Sequence, residues 1–590
     1  MSTGLWLEAL VAGRRLRPSE NVQETTPRAL LRRVEPGPAR RRTRHTVCLA
    51  GEQVRAPSTA SLALGPGRAG WLALCVLLAL GACYRGHEGG APALDEDVEV
   101  AESTGWGDAE DDVEAERDDG STGAVADDPP LPSPAREISV VRVEANQGVA
   151  VELGAAPADS DVPLITGRKT LIRAFWEIEP TWSAREVDAE LLLVYPDGTG
   201  ETIVRRRFVD QASTHDTLDG SFAWVLAPEL VRPGMRYAIE LFEAEIDGTV
   251  DPATPSNRVP SVGTAAITLA PGQQRIRVTL VPFRHHFDGC QRQPPTDLDT
   301  VMSFVGALEA SNPVQGVDLV LHPTELWTGP MPNFTAVLER LIELRTDEDA
   351  DPNMYYYGLV FPCDGGESGV GGRGYVPNGP TVENGTLRTS MGRWYANNRT
   401  AALSHFVHEI GHNQGRRHVP CTGNEANPDL AYPHEGGVLA RWGFGIHDWT
   451  LHPPGETFDY MSYCHPRAPS DYTWKATLEI IEELTSWSYD RPPAEVPRTT
   501  LLVGSLRADG TQVWWTMLGP ANVDGTHEIE LRGGGRRLGM VSAARYVASD
   551  ETTVLVVAPV GTLLDGADSL VYDDGLVRRE IGIADVRGRP

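Results

Sequence analysis

The segment HFVHEIGHNQGRRHVPC, residues 405 to 421, sets histidines at 408, 412 and 418, with a carboxylate at 409 and a glycine at 415. The stretch AALSHFVHEIGHNQ (401–414) has apolar residues at helical spacing, and Asn398 or Thr400 can cap its start. Positions four apart on a helix differ by about 40° and rise about 6 Å, so His408 and His412 face one way and can share a metal ion. Glu409 points about 100° away from His408, near enough to reach a water on that ion without ligating it. Gly415 can adopt the left-handed conformation that ends a helix, after which the turning chain brings His418 in from a third direction. Three neutral imidazoles leave one zinc position open, the arrangement of a catalytic rather than a structural centre. The chemistry expected is hydrolysis, with a metal-acidified water, a polarised peptide carbonyl, and Glu409 as general base carrying the proton to the leaving amine. His405, one turn before His408, reads as a packing or supporting residue, and His434, His447, His452 and His465 read as loop residues.

HEIGHNQGRRH matches H-E-x-x-H-x-x-G-x-x-H and so resembles the signature of the metzincin zinc metallopeptidases, a clan that also needs a methionine turn downstream. FDYMSYC (458–464) supplies that turn. The resemblance implies that Met461 packs beneath the metal without binding it. It also implies that Tyr463, at the M-x-Y spacing of astacin-like and serralysin-like members, ligates the metal or hydrogen-bonds the developing oxyanion. HEIGHNQGRRH behind a β-domain is similar to StcE-like, secreted bacterial mucin-cleaving enzymes, and YMSYC is similar to pappalysin-type enzymes. The long interval between His418 and Met461 departs from both, so no substrate is carried over. By residue the resemblance covers 405–418 and 458–464; by layout it covers about 284–490. In such enzymes the substrate lies along an edge strand above the zinc helix, and GRGYVPN (372–378) is the expected edge.

The elements that must position these groups are read from pattern. From Ile138 onward, runs such as KTLIRAFWEI, AELLLVYPDGTGETIVRRRFV and QQRIRVTLVPF are β-branched and broken by turn residues, which predicts a β-sandwich over 136–283. Residues 284–490 alternate helical (298–310, 334–345, 470–487) and strand (317–322, 354–361) patterns, which predicts a mixed sheet with covering helices. Ser470 or Asp471 is the expected cap of the last helix. The glycine-rich 365–380 lacks the GK[ST] ending of a phosphate loop and suits a bulged edge. Strands return in a C-terminal β-domain, 497–590. The expected fold is therefore multidomain α+β, with a metzincin-like mixed α/β catalytic domain flanked by two β-sandwich-like domains.

Composition narrows the function classes. A formal charge of −30 over 590 residues argues against a nucleic-acid partner, because no basic surface would release counterions from phosphate. Residues 95–128 carry 15 acidic residues and one basic residue, Arg117, so 84–135, tipped by DDPPLPSP, reads as a disordered acidic tether. Upstream, residues 1–83 read as a leader. An apolar stretch from Trp71 to Ala82 is too short for a bilayer core of about 30 Å but suits a signal peptide. Leu80-Gly81-Ala82-Cys83 resembles a bacterial lipobox, which implies lipid on Cys83 and no other membrane attachment. Translation is then expected to start later than Met1, near Val47 or Val54.

Of seven cysteines, Cys48 and Cys75 leave with the leader and Cys83 takes lipid, so Cys290, Cys363, Cys421 and Cys464 remain as two disulfides with three possible pairings. The metzincin resemblance selects one pairing. Cys421 follows the last histidine by three positions and Cys464 follows Met461 by three, and those two segments must meet around the metal. The expected pairs are Cys421–Cys464 and Cys290–Cys363.

The expected function is thus a surface-tethered or secreted zinc endopeptidase holding one Zn²⁺ and acting on extracellular proteins or glycoproteins. Two rivals stand beside it: an adhesin or glycan-binding protein with a vestigial metal domain, and a cell-wall peptidase.

Overall fold

The structure is a computed structural model that describes residues 133–588 apart from 155–161, 246–256, 524 and 576–577. The leader 1–83, Cys83 and nearly all of the tether 84–135 lie outside the described residues. No helix among the described residues is long and apolar enough to cross a membrane.

Two antiparallel sheets make the N-terminal β-region. One orders the strands Ala150–Leu153, Ile138–Asn146, Thr170–Ile178 and Phe222–Leu226; the other orders Ala265–Ala266, Arg236–Glu243, Arg185–Val194 and Gly200–Val209. Alternation sets which face is inside. Along Arg185–Val194 the residues Val187, Ala189, Leu191 and Leu193 are fully buried while their neighbours are not, and they meet Trp224, Tyr237 and Ile172 in one core.

A central sheet follows, built around the long strand Arg275–Phe287. It pairs in parallel with Met354–Val360 on one side and with Gly316–Leu321 and Glu325–Thr328 on the other. Beyond Met354–Val360 come Thr389–Arg393, in parallel, and the edge strand Gly372–Gly374, antiparallel. The expected boundary at 283/284 therefore cuts through a central strand. Alternating β-branched residues show that a strand exists but not which sheet it joins; here Thr279 to Phe283 is buried without a break because both faces are covered.

Helices α1 (Leu298–Ser311), α3 (Arg399–Asn413) and α4 (Asp471–Tyr489) cover one face. Phe304, Phe406, Ile410 and Ile481 pack there against Tyr355, Tyr357 and Val278. On the other face lies α2 (Thr335–Asp347), whose Val337, Leu338 and Leu341 meet Val281, Phe283 and Tyr356. The odd and even residues of Met354–Val360 thus serve different cores.

An eight-stranded near-barrel closes the chain, running from Arg498–Arg507 to Val586–Arg587. Leu502, Trp514 and Val556 face its own interior, while Leu501, Val503, Trp515 and Val557 join the core of α2.

The expected fold class is corrected by these observations. Strand occupies 40% of the described residues against 19% helix, so this part of the molecule is mostly β, and its architecture is not a metzincin-like mixed α/β domain between two sandwiches. The reason is physical. A metal-binding helix reports its own geometry and nothing of its surroundings, and the C-terminal strands, expected as a separate flank, share a core with α2.

Candidate metal centre

Helix α3 carries the first two histidines. It starts at Asn398, whose side chain accepts from Ala401 N at 3.0 Å. At its other end Gly415 takes φ 79°, its N–H bonds His412 O at 2.8 Å, and Arg416 N bonds Gly411 O at 3.0 Å. This turn aims the Arg416 carbonyl at the His412 ring, and Nδ1 donates to it at 2.7 Å. His408 Nδ1 donates to Tyr460 O at 3.1 Å, and His418 Nδ1 to Ala426 O at 2.5 Å. Every Nδ1 faces a carbonyl, so each neutral ring keeps its proton there and turns an unprotonated Nε2 to the centre.

Those Nε2 atoms converge. His412 Nε2 lies 3.1 Å from both His408 Nε2 and His418 Nε2, and the three ligand atoms fall within 4.8 Å of one another. Three lone pairs at that spacing, buried and with no proton between them, repel unless a cation sits among them. Nitrogens about 2.0–2.1 Å from a tetrahedral ion are spaced only slightly wider. Burial first, and for His408 and His412 the neighbouring rings next, hold these imidazoles below their usual pKa, which keeps them neutral. His408, His412 and His418 form a buried triad able to bind a metal, the one such group of histidine, cysteine or carboxylate side chains among the described residues.

Around the triad, Glu409 is buried, and its Oε2 has no protein partner among the described residues. Burial, with Asp550 adding and Arg373 opposing, raises its pKa well above the carboxylate range. Tyr463 is 45% exposed and its hydroxyl lies 3.1 Å from His418 Nε2, so it stands at the open side. Burial pushes that hydroxyl up to about 12, helped by Glu409, Asp550 and Glu425. Met461 is fully buried directly beneath α3, where a Cβ on Gly411 would come within 2.4 Å of its sulfur. Val419 N bonds Met461 O at 3.1 Å, joining the third histidine's segment to the methionine turn.

The structure pairs Cys290 with Cys363 and Cys421 with Cys464, and the second pair ties those same two segments together. His405 stands outside the triad: its ring lies against Gly371 and near Tyr395, and burial lowers it to about 4. His434 bonds Asp471 Oδ1 at 2.8 Å and His447 pairs with Glu309 at 3.2 Å, so these rings have structural partners. His452 belongs to a short strand pair with Gly443.

Several residues that shape the centre were not singled out from sequence. Buried Asp459 accepts from Met461 N at 2.7 Å and from Ser470 N at 3.2 Å, so one carboxylate holds the methionine turn and the start of α4, whose cap is Ser470. Asn413 donates to the carbonyls of Tyr375, Leu387 and Thr389 at 3.0–3.1 Å and pins the end of α3 to the sheet. Glu425 accepts from the N–H groups of Cys421, Thr422 and Gly423 at 2.6–2.9 Å; although burial opposes it, these donors hold its carboxyl at about 2. Gly372 is needed because a Cβ there would lie 2.6 Å from Glu409 Cγ. An Asp two residues before the methionine, with Ser and Asp at a helix start, was the available signal for the first; Gly372 lay within the expected glycine-rich edge, though its contact with Glu409 had no signal, and Asn413 had none.

The expected substrate edge is corrected in part. Arg373, Gly374 and Tyr375 are buried, and a turn of the C-terminal sheet occupies the outer side. Ser549 N donates to Gly374 O at 2.8 Å, Gly374 N donates to Ser549 Oγ at 3.3 Å, and Tyr375 bridges Ala548.

No protein-family model matches the chain, and no curated protein matches it. Among solved structures, a Bacteroides fragilis protein described as a beta-galactosidase aligns at 9% identity over 78% of this chain and 74% of that chain, with a TM-score of 0.11. A likeness that slight carries no argument.

Proposed function

We propose that this chain is a zinc-dependent endopeptidase of the metzincin type, acting on extracellular proteins or glycoproteins. The observation that carries the reading is the convergence of three Nε2 atoms next to a buried carboxylate that has an oxygen to spare. Bound among these nitrogens, zinc would supply Lewis acidity toward a water and a substrate carbonyl. The chain's own residues do the rest. His408, His412 and His418 are held in one tautomer by the carbonyls of Tyr460, Arg416 and Ala426. Glu409 takes the proton of the attacking water on its unpartnered oxygen and delivers it to the leaving amine. Tyr463, protonated at neutral pH, donates to the developing oxyanion. In this reading the chain is exported, through a lipid on Cys83 or free, with a protein substrate as partner.

The test uses casein and mucin with purified, zinc-loaded protein. Hydrolysis is expected, with loss on chelation, recovery on adding zinc, and a drop of at least about a thousandfold in Glu409→Ala. Binding of mucin without cleavage, unchanged by Glu409→Ala, would favour an adhesin; release of muropeptides alone would favour the cell-wall peptidase.

A further inference from the structure

The C-terminal near-barrel reaches the metal centre through one tight turn, Ala548–Glu551, closed by Glu551 N on Ala548 O at 3.0 Å. Asp550 in that turn pairs with Arg373, which is 1% exposed and also bonds Glu367 Oε1 at 2.8 Å. The turn is therefore anchored on the edge strand by an ion pair and by two hydrogen bonds between Ser549 and Gly374, one donated by each.

The register of that strand determines what the anchoring leaves open. Arg393 N bonds Gly371 O at 2.9 Å, so residues 371, 373 and 375 bond inward to the sheet while Gly372 and Gly374 direct N–H and C=O outward. Ser549 fills both outward groups of Gly374. Gly372, directly over Glu409, has no partner for its outward pair among the described residues, and an extended peptide can take that pair by adding as a strand. Such a peptide meets the turn two residues further along, about 7 Å from Gly372. An antiparallel addition to a strand running from 372 to 374 lays its amino-terminal side toward Gly374. That turn ends at Glu551, exposed, at φ 61°, with no salt bridge among the described residues and close enough to the centre for its charge to act on His418.

We infer that the Ala548–Glu551 turn closes the amino-terminal end of a peptide groove at Gly372, so that the enzyme cuts within two or three residues of a cationic chain end received by Glu551. This rests on the peptidase reading and narrows it, from any exposed bond to bonds near an amino terminus. The cation recognised is an ammonium group, from a free α-amine or from a lysine side chain at the same position.

The test uses zinc-loaded full-length protein and nested peptides sharing one cleaved sequence, extended toward the amino end by none to eight residues. Each is made free, acetylated, or acetylated with lysine at the terminal position. Hydrolysis should be fastest with the shortest extensions and fall at least about tenfold on acetylation. Recovery with lysine would assign the ammonium to a side chain; no recovery would assign it to the α-amine. In Glu551→Lys the free-to-acetylated rate ratio should collapse toward one; a ratio as large as in the unaltered protein would overturn the inference. The same ratio, read as Kd by fluorescence anisotropy on zinc-loaded Glu409→Ala, should appear without turnover. Cleavage indifferent to extension and to acetylation overturns this inference and leaves the peptidase reading standing. No cleavage of any peptide or protein overturns both.

Discussion

The two β-regions flank the same central sheet but relate to it differently. The N-terminal sandwich has its own core, around Trp224 and Tyr237, and meets the rest through a seam with two small apolar clusters, one around Trp474 and one around Phe444. There Gly148 lies against Trp474 of α4, Asn146 and Ala150 bond Trp442 O, and Arg168 inserts into the α1 end. The C-terminal near-barrel lends one face of its sheet to the core of α2 and places Asp550 within reach of Glu409 through Arg373. Similar strand composition thus produced an attached domain on one side and a wall of the candidate site on the other.

The largest effect that tests this difference is expected at the seam. Arg168 is buried and donates to Gln147 O, Val314 O and Glu309 O, so Arg168→Met strips carbonyls of their partner. Urea denaturation should show a loss of about 3 kcal/mol, with kcat/KM per folded molecule unchanged within about twofold. A matching fall in kcat/KM would tie the sandwich to the site and erase the contrast.

Asp550→Ala should cost less stability, about 2 kcal/mol, because Glu367 still pairs with Arg373. Its kcat/KM should nevertheless fall about tenfold or more, since the turn loses its anchor beside Glu409. Stability lost with activity intact would demote the turn to a structural role.

A sharper pair contrasts two crowded glycines. In Gly372→Ala the new methyl meets Glu409, and peptidase activity should drop about 10–100-fold at nearly unchanged Tm. In Gly148→Ala the methyl would lie 2.5 Å from the Trp474 ring at φ 141°, so Tm should fall while activity per folded molecule persists.

The smallest effect is acid sensitivity on the site side. Burial holds His405 at about 4 against 6.5 unfolded, with Arg467 and His465 adding, so the unfolded state binds the extra proton. Stability from this group is full above pH 6.5 and is lost as pH falls toward 4, by about 1 kcal/mol once its partial exposure is discounted. His405→Gln should flatten that part of the stability curve; an unchanged slope would assign the proton uptake elsewhere.

What could be read early was local. His408 and His412 on one helix face, the turn at Gly415, the cap at Asn398 and the helix over 470–487 follow from spacings shorter than two helical turns. The pairing of Cys421 with Cys464 came from a resemblance that joins two segments. Asp459 escaped notice because an aspartate near a turn has many ordinary uses. The strand Arg275–Phe287 was assigned to the wrong neighbour because alternation records burial and is silent on which sheet provides it.

By itself the sequence determined the ligand types, their order, and the helical geometry that lets two imidazoles share an ion, since bonded geometry over a few residues leaves little choice. Tertiary structure alone decided that every Nδ1 finds a carbonyl, that Gly372 lies over Glu409, and that Ser549 covers Gly374. Those contacts join residues far apart in the chain, and they are selected by packing the whole core, which no local pattern records.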